Sequence, residues 1–171
     1  MLEPTAFPIV RSTDRDCEIP VLYDFLKRTQ GQIESVIDVG AQYSYGYYAP
    51  TLRQYTSFYD ALDPTYDKKV DDLVDNYIVA DAETHQFSQY DLVTCMSTIE
   101  HVGQYPKREE EYKIKRKTVF KNMLDAAQKY FWISFPVGLE YIAINELAWS
   151  CYTISLGPVC YYLFIRVLKD S

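Results

Sequence analysis

The chain has 171 residues, 48% of them hydrophobic and 24% charged, totals that fit one soluble globular domain spanning 1–171. A formal net charge of −7 argues against a protein that grips nucleic-acid phosphates through a basic face. The four cysteines form no CxxC pair and only two histidines accompany them, so no metal site is expected and the thiols read as reduced, in a cytoplasmic protein.

Residues 1–17 read as an irregular N-terminal segment, and Met1–Val10 carries Glu3 and two prolines rather than the apolar run of a secretory leader. Apolar residues Ile19, Val21, Leu22, Phe25 and Leu26 recur at helical spacing, predicting a helix over Glu18–Gln30 that Gly31 stops. Ser35–Val39 is a β-branched run and reads as a strand, followed by Gly40 and a tyrosine-rich loop. A helix over Pro50–Tyr55 and a strand over Ser57–Leu62, closed by Asp63-Pro64, come next. A short helix over Lys69–Val74 precedes strands at Tyr77–Ala80 and Leu92–Met96. Lys107–Lys129 is the longest helical stretch, with Val119, Phe120, Met123, Leu124 and Ala127 as its buried face. Tyr130–Phe135 is a fifth strand, stopped by Pro136; a helix around Ala143–Ser150 and strands near Cys151–Ser155 and Cys160–Val167 complete the chain.

Between Leu147 and Ile165 no residue is charged, which approaches the length of a membrane span. Gly157-Pro158 interrupts that run, so two buried strands joined by a turn are expected and a membrane span is not. Strands alternating with helices predict an α/β fold with a mostly parallel sheet.

The chemistry concentrates after the strands. In Asp38-Val-Gly40-Ala-Gln42-Tyr-Ser44-Tyr-Gly46 a glycine lets backbone approach a ligand closely. A second acid, Asp63, follows at a spacing that commonly serves ribose hydroxyls. Together they point to an adenosine-containing cofactor. The G-x-G-x-x-G of nicotinamide enzymes is absent, which disfavours a nicotinamide-dependent oxidoreductase.

An acid inside the strand, two residues before the first glycine, resembles motif I of class I S-adenosylmethionine-dependent methyltransferases. The likeness extends over most of 18–167. Leu62-Asp63-Pro64 resembles the acid ending the second strand, Ala80-Asp81-Ala82 the acid after the third, and Ser134-Phe-Pro-Val-Gly138 the end of the fifth. Asp91–Gly103, with its Ser97-Thr-Ile-Glu-His-Val-Gly103, is similar to motif IV in a small bacterial-type form.

The resemblance implies a Rossmann-like class I methyltransferase fold: a mostly parallel seven-stranded sheet flanked by helices, with a C-terminal antiparallel strand. It implies S-adenosylmethionine as cofactor. Asp38 and Gly40 would shape the loop with Ala41, and Asp63 would accept from the ribose hydroxyls. Asp81 and Ala82 would serve the adenine, Tyr43 or Tyr45 would lie against the sulfonium, and Ser97 would lie at the motif IV end. His101 is the best-placed base for a hydroxyl nucleophile, with Glu100 orienting it or standing in for it. Gln42 and Ser44 occupy the places of the family's second and third glycines, so either Gly46 reshapes the loop or cofactor binding is weakened.

The activity implied is methyl transfer to an oxygen or nitrogen of a small molecule, a sugar or cell-surface polysaccharide precursor among the candidates. The rival reading is a catalytically inactive methyltransferase-like binding or assembly domain. The pocket must be completed by the first residues and by 103–112 and 138–150, or by a second subunit of a homo-oligomer. Lys107–Lys117 reads as a solvated helical face with i,i+4 pairs, the sharper alternative being that Lys113, Arg116 and Lys117 attract an anionic substrate; His85 is a surface residue, and Cys95 belongs to the core.

Overall fold

The computed structural model describes residues 15–103, 109–136, 150–156 and 159–167, with side chains described for 18–103 and 111–135. Helix α1 spans Arg15–Arg28, strand β1 Ser35–Val39, helix α2 Ala49–Tyr55 and strand β2 Phe58–Asp63. Helix α3 spans Lys68–Asp71, strand β3 Asn76–Val79 and strand β4 Tyr90–Met96. Helix α4 spans Glu109–Ala126, and strands β5, β6 and β7 follow at Ala127–Pro136, Ser150–Leu156 and Val159–Val167.

Strands β3, β2, β1, β4 and β5 lie side by side in that order, and every neighbouring pair is parallel. Beyond β5 the pairing turns antiparallel, to β7 and then β6. The chain winds outward from β1 in one direction through β2 and β3, then returns to place β4 on the other side of β1. That reversal makes the carboxyl ends of β1 and β4 the switch point, where the loops leaving the two strands diverge and open a crevice.

Residue alternation along the strands builds two apolar layers. Ile37, Val39, Val93, Cys95, Phe131, Ile133 and Phe135 face α4, whose Val119, Phe120 and Met123 pack on them. Val36, Leu92, Met96, Tyr130 and Trp132 face α1 and α2, against Leu22, Phe25, Leu26 and Leu52. Cys95 is buried in the first of these layers.

Several elements depart from their sequence boundaries. Helix α1 starts at Arg15, inside the segment expected to be irregular. Helix α3 is a single turn, started by Asp67, whose carboxylate accepts from the Lys69 N–H at 2.9 Å. Helix α4 ends at Ala126, earlier than expected, because Ala127 already pairs with Tyr90. Lys129, three residues on, lies in β5 and reaches back to Asp91 at 3.0 Å. Of the helix expected over Ala143–Ser150, 143–149 lie outside the described residues and Ser150 opens β6. The uncharged stretch near the C-terminus contains β6 and β7 as far as Ile165, and no helix among the described residues is long and apolar enough to cross a membrane.

Candidate functional site

Strand β1 brings Asp38 to the switch point with its side chain fully buried. Three hydroxyls converge on its carboxylate: Thr94 donates at 2.9 Å, Tyr48 at 3.3 Å and Tyr59 at 3.4 Å. These come from β4, the entry to α2, and β2, so Asp38 ties together the elements around the loop. Burial, and then the Asp38 charge, push the Tyr59 phenol well above its ordinary pKa, so it stays a donor.

The loop then turns over β2. Gly40 and Ala41 donate their N–H groups to the Leu62 carbonyl at 2.8 and 3.4 Å, and the Gln42 N–H donates to Asp63 Oδ2 at 3.1 Å. Gly40 has φ +83°, and a Cβ there would lie 2.1 Å from Thr98 Cγ2 and 2.2 Å from Thr98 Oγ1. Glycine is therefore required twice over, by backbone conformation and by the close approach of the loop after β4.

The tight turn itself is made by Tyr43, in the left-handed region at φ 67°, with its N–H donated to Asp67 at 3.1 Å. Gly46 does not reshape the loop as expected: its conformation is ordinary and open space surrounds it. Ser44 is buried and faces the Tyr59 hydroxyl, so it points into the core rather than toward a ligand. Its replacement of a glycine leaves the crevice clear.

At the end of β2, Asp63 is 7% exposed. Besides the Gln42 amide it accepts the Thr65 N–H at 2.7 Å, one on each oxygen. Burial raises its carboxyl pKa above the ordinary value, partly offset by these two amides. A carboxylate offers about four acceptor positions, so two remain for a ligand's hydroxyls.

After β3, Asp81 Oδ1 accepts the Glu83 N–H at 2.8 Å and its carbonyl starts a turn through Thr84 and His85. Helix α4 pins this loop: Asn122 donates to the Ala82 and Glu83 carbonyls at 3.4 and 3.2 Å, and Lys115 pairs with Glu83 at 2.7 Å.

The loop after β4 begins at Ser97, a non-glycine residue with φ 43°, and makes a short 3₁₀ turn at Ile99–His101. Helix α4 grips its far end. Buried Arg116 donates to the carbonyls of Glu100 and of Val102, the latter at 3.1 Å. Gly103, at φ +72°, leaves no room for a Cβ beside Tyr112. Arg116 is thus a structural clamp rather than part of a solvated, anion-attracting face; Lys115 is the basic residue on the crevice.

These loops enclose a cavity of about 720 Å³, whose walls include Gly40, Tyr43, Asp63, Asp81, Ala82, Ser97 and His101. Gln42 and Lys115 also line it. Asp38 and Ala41 lie beneath it, both fully buried, and Glu100 is not on its wall. Tyr43 lines the cavity with 68% of its surface exposed, whereas Tyr45 lies outside it with Lys69 5.9 Å above its ring. No group of metal-ligating side chains occurs among the described residues. From the sequence Thr94, Thr98 and Glu18 have no assigned site role and Arg116 has a different one; Thr94, Thr98 and Glu18 act across more than fifty residues, where no local pattern betrays the partner.

No protein-family model matches the sequence, and no curated protein matches it either. Solved structures do match in three dimensions. Magnesium protoporphyrin IX methyltransferase from Synechocystis, solved with bound S-adenosylmethionine, superposes with a TM-score of 0.69 at 13% identity, covering 91% of this chain and 80% of that one. An rRNA methylase from Streptococcus thermophilus gives 0.62 at 12% identity over 95% of this chain and 100% of that chain. An amino pentose methyltransferase from Micromonospora echinaspora, also with bound S-adenosylmethionine, gives 0.54 at 13% identity, covering 91% and 73%. What is shared at such identities is the fold: a Rossmann-like methyltransferase fold with five parallel strands flanked by helices.

Proposed function

We propose that this chain is an S-adenosylmethionine-dependent methyltransferase acting on an oxygen or nitrogen of a small molecule, with a sugar or cell-surface polysaccharide precursor as the first candidate. The whole sheet is read as the seven-stranded class I arrangement with an antiparallel C-terminal strand. The observation that carries the proposal is one cavity at the β1/β4 switch point, walled by Gly40, Asp63, Asp81, Ala82, Ser97 and His101. Its volume lies within the range of roughly 300–1,000 Å³ usual for small-molecule sites. Fold neighbours solved with S-adenosylmethionine support the same reading.

The residues fit such a cofactor. Asp63 is a buried acceptor with spare lone pairs, suited to a vicinal diol. The Gly40 backbone is bare where a ligand must pass close. Asp81 and Ala82 stand at the end of β3, suited to an amino-substituted ring, and the exposed face of Tyr43 suits a cation. When bound, the cofactor supplies a methyl group activated by a positive sulfur.

The chain's own work is alignment and proton management. Holding reactants in line can remove roughly 7–11 kcal/mol from a barrier. The Arg116 clamp on the loop after β4 holds the turn that carries His101 at the cavity wall, where its imidazole can take the proton of a hydroxyl acceptor. Glu100 is not on the cavity wall, so of its two expected roles the orienting of His101 is kept here rather than direct action on the substrate.

A second reading has its own observation. Gln42 stands on the cavity wall where the family pattern has glycine, and an occluding side chain there would leave a methyltransferase-like binding domain without turnover. Calorimetric titration with S-adenosylhomocysteine separates the two. Micromolar binding that is lost in Asp63→Ala supports the methyltransferase. An absence of binding at millimolar ligand overturns it and leaves the binding domain. Stabilisation by NAD in its place would favour an oxidoreductase.

A further inference from the structure

Glu18, on α1, is 3% exposed, although it lies beyond any local motif. Its Oε1 accepts the hydroxyl protons of both Ser97, at 2.6 Å, and Ser134. The Ser97 N–H in turn donates to the Ser134 carbonyl at 3.1 Å and to the Ser134 hydroxyl at 3.2 Å. One carboxylate oxygen therefore fastens the tips of β4 and β5 to each other and to α1. This fastening sits on a strained residue. Ser97 has φ 43°, a conformation that side-chain-bearing residues seldom adopt and that persists only where the surroundings over-determine it.

The turn at Ser97 sets the course of the loop beyond β4. Thr98, the next residue, is the one pressed against Gly40, and the 3₁₀ turn that carries His101 begins immediately afterwards. Ser97, Thr98 and His101 all line the cavity. Arg116 secures the far end of this loop from α4, whereas Glu18 secures its near end from the opposite layer of the sheet.

We propose that Glu18 is a positioning residue of the cavity: by holding Ser97 in its left-handed turn, it sets the loop that faces Gly40 and presents His101. Its ligand-binding consequence rests on the cofactor reading above; its conformational consequence does not.

The experiment uses the full chain and four variants, Glu18→Ala, Glu18→Gln, Ser97→Gly and the double variant Glu18→Ala/Ser97→Gly. Amide hydrogen exchange is followed without ligand, and S-adenosylhomocysteine is titrated by calorimetry. In Glu18→Ala, exchange across 97–103 should accelerate by about tenfold or more, as loss of a charge-assisted hydrogen bond implies, while exchange in β1 stays unchanged. Affinity for S-adenosylhomocysteine should fall by about tenfold on the same basis. Glu18→Gln keeps an acceptor oxygen and should stay within about threefold of the parent, the span of a weaker neutral hydrogen bond. Ser97→Gly should recover most of the affinity lost in Glu18→Ala, because glycine takes up the turn without being held. A purely structural role for Glu18 would not give this rescue.

Unchanged exchange at 97–103 in Glu18→Ala overturns the proposal. So does an affinity loss that Ser97→Gly leaves in place. If Glu18→Ala does not fold, Ser97→Ala removes the same hydrogen bond from the other side, and the same exchange readout decides. If the parent chain binds no S-adenosylhomocysteine, the cofactor reading fails, and the exchange measurements still decide the positioning role.

Discussion

Gly40→Ala tests the geometry of the crevice directly. The substitution adds one methyl group at a residue with φ +83°, where that methyl would lie 2.1, 2.2 and 2.6 Å from Thr98 Cγ2, Oγ1 and Cβ. Two independent penalties result. Placing a side chain in the left-handed region costs about 1–2 kcal/mol. Forcing a methyl into a filled contact adds about 1–3 kcal/mol through displaced neighbours. The sum, roughly 2–5 kcal/mol, is a large fraction of a domain's stability. The steric part belongs to a pair, so Thr98→Gly in the same chain should remove it and leave the conformational part. The assay is urea unfolding of the parent, both single variants and the double variant, read at constant m value. The coupling energy expected from the cycle is about 1–3 kcal/mol, favourable to the double variant. A Gly40→Ala loss below about 0.5 kcal/mol, or strict additivity in the double variant, would refute the reading that the two loops meet at Gly40 and Thr98.

The charged groups give three further expected outcomes. Burial raises the Asp63 carboxyl above its ordinary value, yet a ligand's hydroxyls need it ionised. Affinity for S-adenosylhomocysteine should therefore weaken as pH falls through that raised pKa, earlier than for an ordinary carboxylate, and the acid-side loss should vanish in Asp63→Asn. Asp91 behaves oppositely: burial alone would push it up, but the Glu34 N–H, Lys129 and the Ser35 N–H together hold it below its usual value. Its contribution is therefore fully present above the unfolded carboxylate pKa and lost as pH falls through the lower folded one. Asp91→Asn should cost about 1.5–3 kcal/mol at neutral pH, the range for hydrogen bonds to a charged group, and progressively less in strong acid by chemical denaturation. Arg116→Lys keeps the charge but cannot span the Glu100 and Val102 carbonyls, so hydrogen exchange in 97–103 should quicken with little change in β1. Equal protection in that variant would show that the loop is held by other means.

The local chemistry of the site is written in the chain. Asp38, Gly40, Asp63 and Asp81 each sit at or beside a strand end, and strand ends are legible because β-branched runs and turn residues punctuate them. Boundaries are less legible. The neighbours of Lys129 favour a helix there, whereas pairing of β5 with β4 decides it otherwise. In the first loop Gly46 is the natural candidate for the turn, since glycine is the usual bearer of a left-handed conformation; Tyr43 bears it instead, because Asp67, 24 residues away, holds its amide.

Periodicity, turn chemistry and the spacing of Asp63 after Gly40 thus pointed by themselves to the α/β character and to two walls of the crevice, while the family resemblance added Tyr43, Asp81, Ala82, Ser97 and His101. These signals are short-range, and a residue's own neighbours suffice to produce them. Only the tertiary structure decided which side chains hold the crevice in shape. Glu18 meets Ser97 and Ser134 across 79 and 116 residues, Thr98 meets Gly40 across two strands, and Arg116 reaches back to the loop after β4. Such contacts arise when the sheet assembles and its two layers close on it. Their partners are set by packing, and packing leaves no spacing in the sequence to read.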